Sequence, residues 1–176
     1  DLLSLSTYEN HEKIKTPQHC NVSEAVSIAI NSLESKSKEK KIEIVFNQQS
    51  ESWAVRCSKQ ELIQIAINII DNSIKYSKEN TQIVIQLNLM DDPLRKREYV
   101  NITFQDEGLG IAEEHIPRLT ERFYRTDVAR SREVGGTGLG LSIVKHILNN
   151  NDGLLKISSK VGVGSTFTVS LPLSKS

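Results

Sequence analysis

The chain has 176 residues, with 22 basic and 22 acidic side chains and a formal net charge of zero. A hydrophobic fraction of 38% with 25% charged residues is the composition of a folded domain, and that length suits a single one. The charge balance argues against nucleic acid as a partner. No run approaches the roughly 20 apolar residues of a membrane span, and no leader pattern opens the chain.

Residues 1–12 place Leu2, Leu5 and Tyr8 at a helical spacing with no helix start before them. They are expected to be the end of a helix that begins outside the chain, cut off by Pro17. Residues 23–41 read as one helix, with Ser23 as N-cap and Val26, Ile30 and Leu33 on its buried face. Short strands are expected at 42–47 and 53–57. Ser58 and Glu61 then form a capping box that opens a long helix ending near Tyr76. Two strands, 81–89 and 99–105, flank an exposed loop. A helix over 141–150 stops at Asn151-Asp152-Gly153, and strands at 154–159 and 165–171 close the chain. Strands and helices mix without strict βαβ alternation, so an α+β fold is expected, a two-layer α/β sandwich with a mixed sheet.

Cys20 and Cys57 match no zinc or redox spacing and read as reduced packing residues. His11, His19 and Cys20 have no second pair of metal ligands near them. Residues 106–140 stand apart, since they hold six of the nine glycines and five of the eight arginines. Glycine lets backbone N–H groups approach an anion, and arginine supplies forked positive charge, so the concentration points to phosphate. No P-loop or dinucleotide fingerprint is present.

Four motifs occur in order. Asn68-Ile-Ile-Asp71-Asn72-Ser-Ile-Lys75-Tyr76 lies on the long helix, where residues i, i+4 and i+7 share one face. Asp106-Glu-Gly108-Leu-Gly110-Ile111 follows a strand, and Glu121-Arg-Phe123-Tyr124-Arg125 comes next. Gly136-Thr137-Gly138-Leu139-Gly140-Leu141 runs into a helix, whose free N–H groups favour an anion. This set resembles the N, G1, F and G2 boxes of the sensor histidine kinases of two-component systems, and the run from 122 to 147 resembles their phosphate-regulon members.

The resemblance implies the Bergerat ATP-binding sandwich, with a mixed sheet covered on one face by helices. It implies ATP and Mg²⁺ as cofactors, with Asn72 holding the metal and Asn68 supporting it. Asn68, Lys75 and Arg125 are the implied catalytic residues. Lys75, Arg125 and Arg132 are matched to phosphate contacts, Tyr76 and Tyr124 to pocket walls, and Phe123 to a lid anchor. Asp106 is matched to the acceptor for the adenine amino group, with Gly108, Gly110 and Ile111 beneath the base. Gly136, Thr137, Gly138, Leu139, Gly140 and Leu141 are matched to the phosphate loop, and Gly162, Gly164, Ser165 and Thr166 to a last box where a hydroxyl reaches the base region.

Residues 1–15 resemble the end of a dimerisation hairpin and 16–176 the catalytic domain. The implied partners are that dimerisation and phosphoacceptor domain and a response regulator. The parent is expected to be a membrane-anchored homodimer in a bacterial inner membrane, and the fragment a cytoplasmic monomer that lacks the acceptor histidine. A protein-serine kinase of the same fold and a nucleotide-free interaction module are the alternatives. A gyrase-like ATPase is disfavoured, because relatives that hydrolyse ATP carry a glutamate base where Asn68 stands.

Overall fold

The computed structural model describes residues 18–47, 52–126 and 135–174. Residues 1–15 and Arg132 lie outside them. The elements are β1 His19–Asn21, α1 Val22–Ser32, α2 Glu34–Glu39, β2 Glu43–Asn47, β3 Ala54–Arg56 and α3 Lys59–Tyr76. They continue with β4 Gln82–Asp92, β5 Arg97–Asp106, a 3₁₀ helix Glu113–Arg118, α4 Gly140–Asn150, β6 Leu154–Lys160 and β7 Gly164–Pro172.

Helix α3 starts as its sequence demands. The Ser58 hydroxyl accepts from the Glu61 N–H at 3.1 Å, and the Glu61 carboxylate accepts from the Ser58 N–H at 3.2 Å. These two bonds satisfy donors that a helix start otherwise leaves open. Leu62, Ile65, Ala66, Ile69, Ile70 and Ile74 then turn one face into the core. At the far end Lys40 donates to the carbonyls of Ile74 and Lys75, at 2.7 and 2.6 Å.

The single helix expected over 23–41 is two. Asn21, not Ser23, is the cap, accepting from the Glu24 N–H at 2.9 Å. The break falls at Leu33, whose N–H bonds the carbonyl three residues back, at Ile30. On either side the hydroxyls of Ser32 and Ser37 bond the carbonyls of Ala29 and Glu34. Such short-range bonding competes with the α-helical ladder. Leu33 itself is buried, so the bend serves the core.

Five strands form one sheet in the order β2-β4-β5-β7-β6. β2 runs parallel to β4, and the other pairs are antiparallel. β1 and β3 make a separate antiparallel pair, of which β1 had no sequence signal. The main register places Ile85 opposite Phe104, Phe104 opposite Phe167, and Asp106 opposite Ser165. Side chains alternate between faces along a strand. Ile83, Ile85, Ile102, Phe104, Phe167 and Val169 therefore share one face, and all are buried. Helices α1, α3 and α4 supply the other half of that core. The expected two-layer sandwich, with a mixed sheet covered on one face, is the fold observed. Asp106, the last residue of β5, lies on the helix-covered face.

Candidate functional site

A cavity of about 680 Å³ opens between α3, the start of α4 and the segments that follow β5. Small-molecule sites occupy roughly 300–1,000 Å³. Helix α3 lines it with Asn68, Asp71, Asn72, Lys75 and Tyr76, the polar face read from the motif spacing. The Asn68 amide nitrogen is buried and has no hydrogen-bond partner among the described residues. Lys75 is not free in the cavity, since its ammonium lies 2.6 Å from Asp71 Oδ2. Asp71 Oδ1 is 2.8 Å from the ammonium of Lys36 on α2. Burial works against the Asp71 charge, but hydrogen bonds and charge from Lys36 and Lys75 outweigh it, so its carboxyl stays below the ordinary range.

Asp106 forms the other end of the cavity. Its Oδ1 accepts from the N–H groups of Gly108 at 2.9 Å and Ser165 at 3.1 Å. Its Oδ2 accepts from the Ser73 hydroxyl at 3.1 Å. Burial pushes this carboxyl above the ordinary range, and the three hydrogen bonds oppose the shift. A carboxylate held this way keeps acceptor capacity toward a ligand that donates. The loop after it is pinned, with the Leu109 N–H bonding Tyr76 O and the Ile111 N–H bonding Ser159 Oγ. Gly110 has φ +70°, and a Cβ there would stand 2.0 Å from the Lys160 carbonyl oxygen. Only glycine fits that approach.

The opposite wall begins with the 3₁₀ helix. Tyr124 lines the cavity, its hydroxyl 2.7 Å from His115 Nδ1 and its ring 4.2 Å beneath the Arg118 guanidinium. Arg125 Nη1 donates to Gly136 O at 2.6 Å. Phe123, matched to a lid anchor, is 58% exposed. It holds this wall through its backbone, donating its N–H to Gly138 O at 3.0 Å. A Cβ on Gly138, where φ is +72°, would meet the Phe123 backbone at 2.9 Å. Helix α4 opens at Gly140 with no side-chain cap. Its first N–H groups and the positive end of its dipole are thus available to an anion.

The structure brings Asn68, Asn72, Lys75, Tyr76, Asp106, Gly110, Ile111, Tyr124, Arg125, Gly136, Thr137, Gly138, Gly140 and Leu141 around one cavity. Gly108 joins them through its hydrogen bond to Asp106. Leu139 and Thr166 are not among the residues that line the cavity. The Leu139 side chain is buried in the core, and its carbonyl accepts from the Ser142 hydroxyl. Thr166 pairs with Gln105 on the opposite face of the sheet, and its neighbour Ser165 donates its backbone N–H to Asp106. Sequence reading missed Ser73, Lys36, Asp71 and His115. Only Ser73 and Asp71 carried a signal, lying inside the first motif.

Among the described residues no cluster of three or more His, Cys, Asp or Glu could hold a metal. On α3 the oxygens on offer to a cation in the cavity are the amides of Asn68 and Asn72, since Lys36 and Lys75 each occupy one oxygen of Asp71. That sparse, hard donor set fits Mg²⁺, which keeps several waters and phosphate oxygens as its other ligands.

Residues 57–175 match the family of histidine kinase-, DNA gyrase B-, and HSP90-like ATPases, and the chain belongs to it. Curated relatives are sensor histidine kinases. The sensor-like histidine kinase SenX3 of Mycobacterium tuberculosis is 36% identical over 172 residues, 98% of this chain and 40% of that protein. The phosphate regulon sensor protein PhoR of Pseudomonas aeruginosa is 42% identical over 111 residues, 63% of this chain and 24% of that protein. The chain thus spans less than half the length of these relatives. Full-length ShkA in complex with AMPPNP shares the fold with a TM-score of 0.82 at 21% identity, covering 99% of this chain and 35% of that one. The nucleotide-free catalytic domain of histidine kinase ThkA does so with a TM-score of 0.73 at 23% identity, covering 90% and 96%.

Proposed function

We propose that residues 16–176 are the catalytic, ATP-binding domain of a sensor histidine kinase, and residues 1–15 the end of its dimerisation hairpin. The domain transfers the γ-phosphoryl group of ATP to a histidine on that hairpin, outside this chain. The group then passes to an aspartate of a response regulator. The parent is a homodimer anchored in a bacterial inner membrane, with this domain on the cytoplasmic side. No helix among the described residues is long and apolar enough to cross a membrane.

The observation that carries the reading is the polarity of the cavity from end to end. At one end an ionised Asp106 can only accept, which suits the amino group of adenine and not the carbonyl of guanine. At the other, Lys75, Arg125 and the open start of α4 supply positive charge for a triphosphate. Between them Asn72, with Asn68 beside it, would hold Mg²⁺, which neutralises charge on the phosphates. An amide at 68 cannot take a proton, so these residues hold and orient ATP without activating water. The bond from the γ-phosphorus to its bridging oxygen breaks, a phosphorus–nitrogen bond forms on the imidazole, and ADP leaves. Positioning and charge neutralisation supply most of such a reaction.

The deciding experiment supplies the missing hairpin domain in trans with γ-labelled ATP. Acid-labile label on its histidine is the expected result. Label on serine, or release of free phosphate alone, would overturn the proposal.

A further inference from the structure

We infer that Lys36, which lies in none of the four motifs, is a further phosphate-binding residue of this cavity, held at its edge by Asp71 until nucleotide arrives. The inference rests on the nucleotide reading above and extends it to a residue 32 positions before Asn68.

The first observation is placement. Lys36 lies on α2 yet lines the same cavity as Asn68 and Asn72. Its neighbours in this lysine-rich stretch are committed elsewhere. Lys38 pairs with Glu34, Lys40 bonds the carbonyls that end α3, and Lys41 pairs with Glu79. Lys36 is the one among these that reaches the cavity.

The second observation is the carboxylate between two cations. Lys36 and Lys75 each occupy one oxygen of Asp71, at 2.8 and 2.6 Å. The Asp71 side chain is only 17% exposed, whereas that of Lys36 is 59% exposed. The anchor is therefore tucked against the protein, and the lysine reaches toward solvent from it. An ammonium carries three donors, so Lys36 can keep Asp71 and still donate to a second oxygen anion. As a surface ion pair alone it would contribute little to stability.

The third observation is direction. Successive residues on α3 turn by about 100°. Ser73 points to Asp106 and marks the base side. Asn68 and Asn72 lie next around the helix, and Asp71 and Lys75 lie on the flank farthest from Ser73. The Lys36–Asp71–Lys75 group thus stands on the flank of α3 turned away from Ser73, with Asn68 and Asn72 between. An adenine nucleotide seated on Asp106 that runs its phosphates past Asn72 would bring them beside that group. Two positive charges against one negative leave the group cationic, and a polyphosphate competes with Asp71 for both lysines.

Calorimetric titration with ATP, ADP and adenosine tests this on the whole chain, for the natural sequence and for K36M, K36R and D71N. K36M is expected to weaken ATP about two- to fivefold, the range an exposed charge pair supplies. ADP should lose less and adenosine nothing, with the ATP loss shrinking at high salt. K36R should retain most of the affinity, and D71N should tighten ATP by removing a competing anion. Unchanged ATP affinity in K36M, or equal losses for ATP and adenosine, would overturn the inference and leave the nucleotide reading standing. A natural chain that binds no adenine nucleotide would overturn both.

Discussion

Replacing Asp106 by Asn separates its role in the fold from its role toward a ligand. The side chain is 7% exposed, so water cannot stand in for a lost partner. In D106N the amide oxygen can still accept from the Gly108 and Ser165 N–H groups that Oδ1 serves now. The amide nitrogen then faces the Ser73 hydroxyl, which can turn to accept. All three bonds have a replacement, and burial no longer penalises a charge. Stability should therefore change by no more than about 1 kcal/mol, the size of one net hydrogen bond. Binding is affected more. A donor now stands where an adenine amino group needs an acceptor, and losing a charge-assisted bond costs about 1.5–3 kcal/mol. That is roughly a 10- to 150-fold weakening for ATP, and preference over GTP should fall with it. Calorimetric titration gives the first number and urea unfolding the second. Unaltered ATP affinity, or a stability loss of several kcal/mol with affinity following it, would refute the reasoning.

The pH dependence of the same residue has two signs. Burial raises the folded-state pKa of Asp106 above its unfolded value. The stability it contributes is full below the unfolded value and lost as pH rises through the folded one. Nucleotide needs the ionised form, so binding weakens as pH falls through that raised pKa. Acid should thus loosen ATP while Asp106 itself comes to favour the fold, and both effects should vanish in D106N.

Three further substitutions have expected outcomes. N72A should remove the Mg²⁺ dependence of ATP binding, seen by titrating with and without the metal, while leaving binding of adenosine unchanged. G110A should cost at least about 2 kcal/mol in urea unfolding, because its Cβ meets the Lys160 carbonyl at 2.0 Å in a left-handed conformation. S58A should cost about 1 kcal/mol by removing the cap of α3. Its nucleotide affinity should stay unchanged, since Ser58 lies at the end of the helix away from the motif.

What could be read from the sequence was whatever depends on near neighbours. The capping box at Ser58 needs only three residues, and the polar face from Asn68 to Lys75 needs only the helical period. Both appear as expected. The aspartate at a strand end before two glycines was also legible, but its partners were not. Ser73 is 33 positions away and Ser165 is 59. Choosing between Ser165 and Thr166 requires the register of β7 against β5, and a shift of one residue exchanges the faces of the sheet. Ser165 meets Asp106 through its backbone N–H, and its hydroxyl lies 2.9 Å from Ser159 Oγ. The break at Leu33 was hidden for a related reason. Its apolar spacing continues a helix, while two serine hydroxyls draw carbonyls away from the ladder. Lys75 shows the same limit in electrostatic form. Its place on the motif points it at the cavity, but its charge is already shared with Asp71, and through Asp71 with Lys36. Helical spacing fixes the face on which a cation stands. Whether that cation is available to a ligand depends on a carboxylate one turn away and a lysine on another helix.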